Sequence, residues 1–460
     1  MSPISRRLAW LPASVSALLP GLLPVLLLAQ AASAADPELR FEKYQLSNGL
    51  TVISSEDHRL PQVAINLWYH VGAADQAPGR SGFAHLFEHM MFSGSKHVQP
   101  SSFAVLEPIG ATNINGSTNF DRTNYYETVP SSELGAGLWV ESDRMAFLLD
   151  TLDAQKLKIQ RDVVANEHRQ RYENQPYGRT SLRRCELLYP LPHPYSGCVI
   201  GSVPEIQAAT VEDLQAFFRS YYGPQNASLS LVGDFDPAAA RLLVEKYFGA
   251  IPRGPEVKRT GPPQPRLAGV VRETLEDKAS ELPQLSLSWT AVKPYADDEA
   301  AGQVLATILG GGRTSRLYQS LVFDQQVASE VSAALRPLSL GGFFVIEVNA
   351  EAGHQAAELL PLVQVELEAI KRDGPLPVEV ERAQRRFIAG RVRALERIGT
   401  RADLLNSYET ELGDPGFLPR DLARYRAVTP EAVQAFASRV LLDGERLELV
   451  TLPARKAVAP

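Results

Sequence analysis

Cysteine is almost missing from this chain of 460 residues: Cys185 and Cys198 are the only two, which leaves room for one disulfide at most. There is no surplus of positive charge. Lys and Arg number 46 against 53 Asp and Glu, a formal net charge of -7, and no basic stripe is present, so nothing points to nucleic acid as a partner. No apolar run is suited to spanning a membrane. The run at 18–28 is short and carries Pro20 and Pro24 in or beside it, which argues against a stable membrane span.

What is present is the composition of a soluble globular protein, 45% apolar and 22% charged. The length calls for two or three domains. Residues 1–34 read as a signal peptide: Arg6 and Arg7 give the positive start, 18–28 the apolar core, and Ala32-Ser33-Ala34 a small-x-small cleavage site. The expected destination is export, to a bacterial periplasm. In such a compartment Cys185 and Cys198 are candidates for a disulfide.

The chain is organised around Ser81-Gly82-Phe83-Ala84-His85-Leu86-Phe87-Glu88-His89-Met90-Met91-Phe92. This reads as one amphipathic helix, with Ser81 as N-cap and Gly94 as a C-terminal stop. His85 and His89 are four residues apart, so both imidazoles leave the same face, ~6 Å apart along the axis. Two neutral imidazoles so placed suit one Zn²⁺ per chain. Glu88 lies nearly on that face and can reach a water there. The order H-x-x-E-H is the inverted zinc-peptidase motif.

Around this helix, 41–54 reads as two strands about the Asn48-Gly49 turn and 62–70 as an alternating strand. Helices are expected at 101–110, 134–149, 153–172, 211–221 and 237–248, a hairpin at 111–130 and a strand at 227–233. The Pro/Gly/Tyr-rich stretch 175–200 reads as irregular. A Pro-rich linker covers 252–268, which divides the mature chain into 35–251, a zinc-binding half, and 269–460. The second half echoes the first. Leu60-Pro61-Gln62-Val63 returns as Leu282-Pro283-Gln284-Leu285, followed by a helix at 301–309 and Gly310-Gly311-Gly312. That helix has no histidine and no second metal motif, so the chain reads as an internal duplication with one chemical half.

Two histidines need a third protein ligand. The best candidates lie in Gln160-Arg161-Asp162-Val163-Val164-Ala165-Asn166-Glu167-His168. Glu167 and His168 point about 100° apart around a helix, and spacing does not choose between them.

His85-Leu86-Phe87-Glu88-His89 followed by Val163-Val164-Ala165-Asn166-Glu167 resembles the pitrilysin/insulinase family of zinc peptidases, which includes mitochondrial processing peptidase and short bacterial two-domain members. The resemblance extends to Gly110–Gly116, to Tyr172–Gly178 and to the duplicated halves. It implies His85, His89 and Glu167 as ligands and Glu88 as general base, with His168 on the helix surface. It implies an α+β fold of two duplicated halves, each a mostly antiparallel sheet with packed helices, closing like a clamshell around a chamber. It implies a peptide substrate held as an added strand, with Asn115 and Gly116 at the positions of the family's Asn-Ala pair.

Two departures stand out. Many relatives carry a glutamate two helical turns before the ligand glutamate, where this chain has Gln160. Aligned on Ser315-Arg316-Leu317-Tyr318, Val322 and Ser329 fall where complete members carry an arginine and a tyrosine that contact substrate. The expectation is a zinc metalloendopeptidase acting as the metal-bearing subunit of a hetero-oligomer, with a homologous partner supplying that pair. The alternative is a non-catalytic scaffold or peptide-binding member of the same fold.

Overall fold

The computed structural model describes residues 36–257 and 266–454. The expected signal peptide, and residues 258–265 of the Pro-rich segment, lie outside the described residues.

The first sheet is built from β1 (Glu42–Gln45), β2 (Thr51–Glu56), β3 (Gln62–Tyr69), β4 (Thr112–Thr118), β5 (Thr123–Pro130) and β6 (Ala227–Gly233), in the order β1-β2-β6-β3-β5-β4. The second comprises β7 (Val270–Asp277), β8 (Gln284–Thr290), β9 (Ala328–Arg336), β10 (Phe343–Ala350) and β11 (Arg446–Pro453), in the order β7-β11-β8-β10-β9. Without β1, the two orders are the same. Each sheet has a single parallel pair at the same place, β2 with β6 and β7 with β11, and every other neighbour is antiparallel. The echoed segments form β3 and β8, the middle strands of this shared pattern. The two halves make the clamshell architecture.

Strand β3 is buried along nearly its whole length rather than on alternate residues. Both faces of the sheet are therefore covered. One face carries the first half's own helices, including Phe83–Phe92, whose Leu86, Phe87, Met90 and Met91 sit in the core with Leu67 and Tyr125. The other face carries a helix of the second half, Ile398–Leu412, fastened by Asn406 Nδ2 donating to the Asn66 carbonyl at 2.8 Å and Asn66 Nδ2 to Asp403 at 3.2 Å. The exchange is reciprocal. The helix Gly178–Leu188 of the first half lies on the second sheet, with the Thr180 and Thr451 hydroxyls 2.6 Å apart, Arg183 on Glu273 at 2.8 Å, and Arg184 on Glu347.

That last helix falls within the stretch 175–200, which reads from sequence as irregular. Its buried positions include Thr180 and Arg184. Its apolar side, Leu182, Cys185 and Leu188, is short and lies between Pro- and Gly-bearing segments that obscure it in the sequence. Tyr177 starts it at φ +62°, and Gly178 is required because a Cβ there would stand 2.6 Å from the Tyr172 backbone. Cys185 on this helix is disulfide-bonded to Cys198, with Cα atoms 5.9 Å apart, which ties down the intervening three-proline loop. Among the described residues no helix is long and apolar enough to cross a membrane.

Candidate metal centre

The helix Phe83–Phe92 is capped by Gly82 at φ +85°, not by Ser81. Ser81 is engaged elsewhere: its Oγ accepts from Ser202 N at 2.9 Å and its N–H donates to Glu205 at 2.7 Å. The helix packs its apolar side into the core and turns His85, Glu88 and His89 toward the helix Ala154–His168, which carries Glu167. His85 Nε2 and His89 Nε2 are 3.4 Å apart; Glu167 Oε2 is 3.1 Å from His89 Nε2 and 3.6 Å from His85 Nε2. Three ligand atoms arranged tetrahedrally around zinc would be about 3.3 Å from one another. Two imidazole nitrogens and a carboxylate oxygen converge at these spacings, and each carries a lone pair that a cation can accept. The donor set thus fits a zinc ion. It is the one such cluster among the described residues.

Electrostatics agree with this. Burial, and then the neighbouring His89, push His85 down to about 4, so its imidazole is neutral at pH 7 and keeps a lone pair. Burial pushes Glu167 up, but the His89 hydrogen bond and the nearby His85 and Arg171 outweigh it and hold the carboxyl below the ordinary range. Arg171, one turn later, binds the outer oxygen Oε1 at 2.9 Å. His168 is turned away from the trio, 3.3 Å from Glu173 and against Tyr172.

Glu88 stands beside the trio without joining it. Thr118 Oγ donates to its Oε2 at 2.6 Å. Burial raises the Glu88 carboxyl above its ordinary value, with the Thr118 bond pulling the other way. Gly116 gives Glu88 room, since a Cβ there would be 3.0 Å from Glu88 Cγ and 3.1 Å from Phe92. Asn115 and Gly116 lie on β4, the edge of the sheet, with Asn115 Oδ1 accepting from the Gly116 N–H at 2.8 Å. A cavity of about 640 Å³, walled in part by Phe92, Phe103, Ile159 and Gln160, opens beside Glu88, His89 and Asn115. Gln160 does not reach the imidazoles. Its Nε2 donates to Ser93 Oγ at 2.9 Å, and Ser93 Oγ donates to the His89 carbonyl, so Gln160 braces the helix end.

In the second half, Val322 packs against the core and Ser329 Oγ donates to the Asn349 and Ala350 carbonyls at 3.4 and 3.2 Å. Arg316 is committed to Glu379, at 2.7 Å, and to the Gly374 carbonyl. Sequence reasoning missed Thr118 and Arg171. The available signals were local: Thr118 is two residues after Gly116 on a strand, hence on its face, and Arg171 is four after Glu167 on a helix.

A duplicated two-sheet fold with an inverted two-histidine motif and a distant glutamate defines a zinc-peptidase class. Two family models match, and they are two parts of one architecture: "Insulinase (Peptidase family M16)" over residues 51–184 and "Peptidase M16 inactive domain" over 208–387. The chain belongs to this insulinase, or M16, family. It is 27% identical over 373 residues to the "Zinc protease PqqE" of Helicobacter pylori, covering 80% of this chain and 83% of that one. Its fold matches a crystal structure of a protease from Helicobacter pylori with a TM-score of 0.85 at 24% identity, covering 91% of this chain and 100% of that one. It also matches the first half of the periplasmic protease PqqL from Escherichia coli with a TM-score of 0.72 at 19% identity, covering 92% and 94%. The relatives' names carry zinc and proteolysis, and the "inactive" model, over 208–387, does not include the motif.

Proposed function

We propose that this chain is an exported zinc metalloendopeptidase that cleaves peptides or unfolded protein segments. The observation that carries the reading is the convergence of His85, His89 and Glu167 within 4.8 Å, with Glu88 alongside. In this reading those three side chains hold one zinc, which when bound would supply a Lewis acid for the peptide carbonyl and lower the pKa of water. Glu88 takes the proton of the attacking water and delivers it to the leaving amine. Thr118 holds the carboxylate in line. The edge strand β4 pairs with the substrate backbone, and Asn115 orients a peptide carbonyl. Periplasmic location is supported by the leader-like first 34 residues, the disulfide, and the periplasmic relative.

The finer part of the proposal is a hetero-oligomer. A tetrahedral intermediate needs a hydrogen-bonding or positive partner for its oxyanion. Val322 and Ser329 offer neither an arginine nor a phenol, and Arg316 is held by Glu379. A homologous subunit would bring the missing arginine and tyrosine. The same gap favours the second reading, a peptide-binding member without turnover. The experiment is zinc analysis and hydrolysis of an unstructured peptide, first by the chain alone and then with the product of the neighbouring gene. Hydrolysis that needs both supports the proposal. Full activity of the chain alone removes the partner, and zinc with no hydrolysis in either case leaves the binding protein.

A further inference from the structure

A run of hydrogen bonds crosses the face of the first sheet that carries the second half's helix, starting at the edge strand β4. Its first member is Arg122, in the turn between β4 and β5. Arg122 Nη1 lies 2.8 Å from the Ser117 carbonyl, 2.6 Å from Ser117 Oγ and 2.9 Å from Asn124 Oδ1, and its guanidinium carbon stands 5.0 Å from the centre of the Trp68 ring. Asn124 Nδ2 donates to Asn66 Oδ1 at 3.0 Å, and Asn66 Nδ2 donates to Asp403 Oδ1 at 3.2 Å. Arginine can only donate and a carboxylate can only accept, so the two ends impose one direction and each amide between them has one orientation. Asn66 and Asn124 are 3% and 1% exposed. A buried polar chain of this kind, complete from end to end, fixes the positions of the strands that carry it.

The second half supplies the control. Gln62 and Gln284 are equivalent in the duplication, so Asn66 corresponds to Ser288. Asn124 pairs with Trp68 and Phe343 with Thr290, which makes Phe343 the counterpart of Asn124, and Gly341 that of Arg122. None of the three groups is repeated. Ser288 Oγ is buried without a partner, and Phe343 packs against the apolar cluster of Leu447 and Leu449. The same place in the second sheet therefore folds without such a chain. The half that keeps the chain is the half with the metal motif.

Ser117 is followed by Thr118, and successive strand residues face opposite sides of a sheet. The chain thus holds, from one face, the strand that offers Thr118 to Glu88 on the other, at 2.6 Å. Tolerance there is small, since a Cβ on Gly116 would stand 3.0 Å from Glu88 Cγ. Strand β4 is at the edge of its sheet, and its pairing with β5 is irregular between Thr112 and Asn115, so its register rests on the end at Asn115–Thr118. We propose that Arg122 is a positioning residue for peptide hydrolysis: through Asn124 and Asn66 it anchors β4 to the helix Ile398–Leu412, and so keeps Thr118 on Glu88. The inference rests on the peptidase reading for the reaction it serves, but not for the anchor itself.

The test uses the zinc-loaded protein, with its partner where hydrolysis needs one. Arg122→Met should lower kcat about tenfold at unchanged zinc content, and Arg122→Lys should recover most of it. Because Arg122 acts through Thr118, adding Arg122→Met to Thr118→Val should cost little more. The double variant should lose about tenfold, not the roughly hundredfold of independent sites. Asp403→Leu breaks the chain from its far end and should reproduce the loss. Asp403→Asn still presents an oxygen to Asn66 and should not, and this pair serves if Arg122→Met does not fold. A readout free of turnover is hydrogen exchange of residues 112–118, followed by mass spectrometry. It should quicken in Arg122→Met and Asp403→Leu, and stay native in Arg122→Lys and Asp403→Asn. Multiplying losses in the double variant would overturn the proposal, as would exchange left unchanged by both disruptive substitutions. Quickened exchange in a protein that hydrolyses no peptide keeps the anchor and sinks the peptidase; hydrolysis with unchanged exchange does the reverse.

Discussion

The helices Phe83–Phe92 and Glu299–Gly310 occupy the same place in the two halves, each following the central strand of its sheet. In the first, one face is packed and the other looks into a cleft, where Glu88 and His89 are half-buried. In the second, nearly every residue from Glu299 to Leu309 is buried. Its Gly302 admits no side chain, because a Cβ would lie 2.5 Å from Phe436 and 2.8 Å from Leu335. The helices Pro430–Val440 and Pro377–Ala394 seal the surface on which a metal would have to sit. Duplication has kept strand order and pairing direction, which depend on backbone hydrogen bonds and generic apolar packing. The chemistry depends on a few polar side chains and on one open face. The second helix has neither.

If the chemistry belongs to the first half alone, its largest break comes from Glu88→Gln. Peptide hydrolysis should fall by about 10²–10⁴-fold while zinc stoichiometry, read by metal analysis, stays at that of the native protein. Glu167→Gln should instead lower zinc occupancy sharply, whereas His168→Ala, already turned toward Glu173, should leave it near native. The opposite ranking would move the third ligand. Restoring the family pair by Val322→Arg with Ser329→Tyr would narrow the contrast between the halves. Each oxyanion donor is typically worth on the order of 10²–10³ in rate, so activity of the isolated chain should rise. No rise would show that the chamber needs more than those two groups.

A smaller effect is expected at Thr118. Its hydroxyl is bound to Glu88 at 2.6 Å, so Thr118→Val should lower kcat about tenfold with KM and zinc content unchanged, and Thr118→Ser should recover most of it. A loss in KM instead would make Thr118 a substrate contact. The smallest effect concerns the exchanged helix. Arg59 first, and Arg401 of the second half, hold Asp57 well below the ordinary carboxylate range. A depressed folded-state value stabilises the fold above the ordinary value and is lost as pH falls through the folded one. Thermal stability should therefore decline on acidification below about pH 4, and less steeply in Asp57→Asn. Parallel curves for the two proteins would remove Asp57 from that account.

Much of this was legible in the sequence where residue spacing translates directly into geometry. His85, Glu88 and His89 are set by a helical repeat, and the repeated Leu-Pro-Gln segments marked the two equivalent strands. The third ligand was open between Glu167 and His168 on spacing, because adjacent residues differ only in direction around the helix. The structure turns Glu167 inward. The helix Gly178–Leu188 was hidden by the Pro- and Gly-rich residues around it, and its contacts to the other half through Thr180, Arg183 and Arg184 are polar.

The most direct test of the central claim is cleavage of one unstructured peptide by the zinc-loaded protein with its neighbouring-gene partner, native and Glu88→Gln side by side. The account predicts hydrolysis by the native protein and none above background in the variant, at equal zinc content. Hydrolysis that persists in Glu88→Gln, or its absence from the native complex with zinc in place, would contradict it.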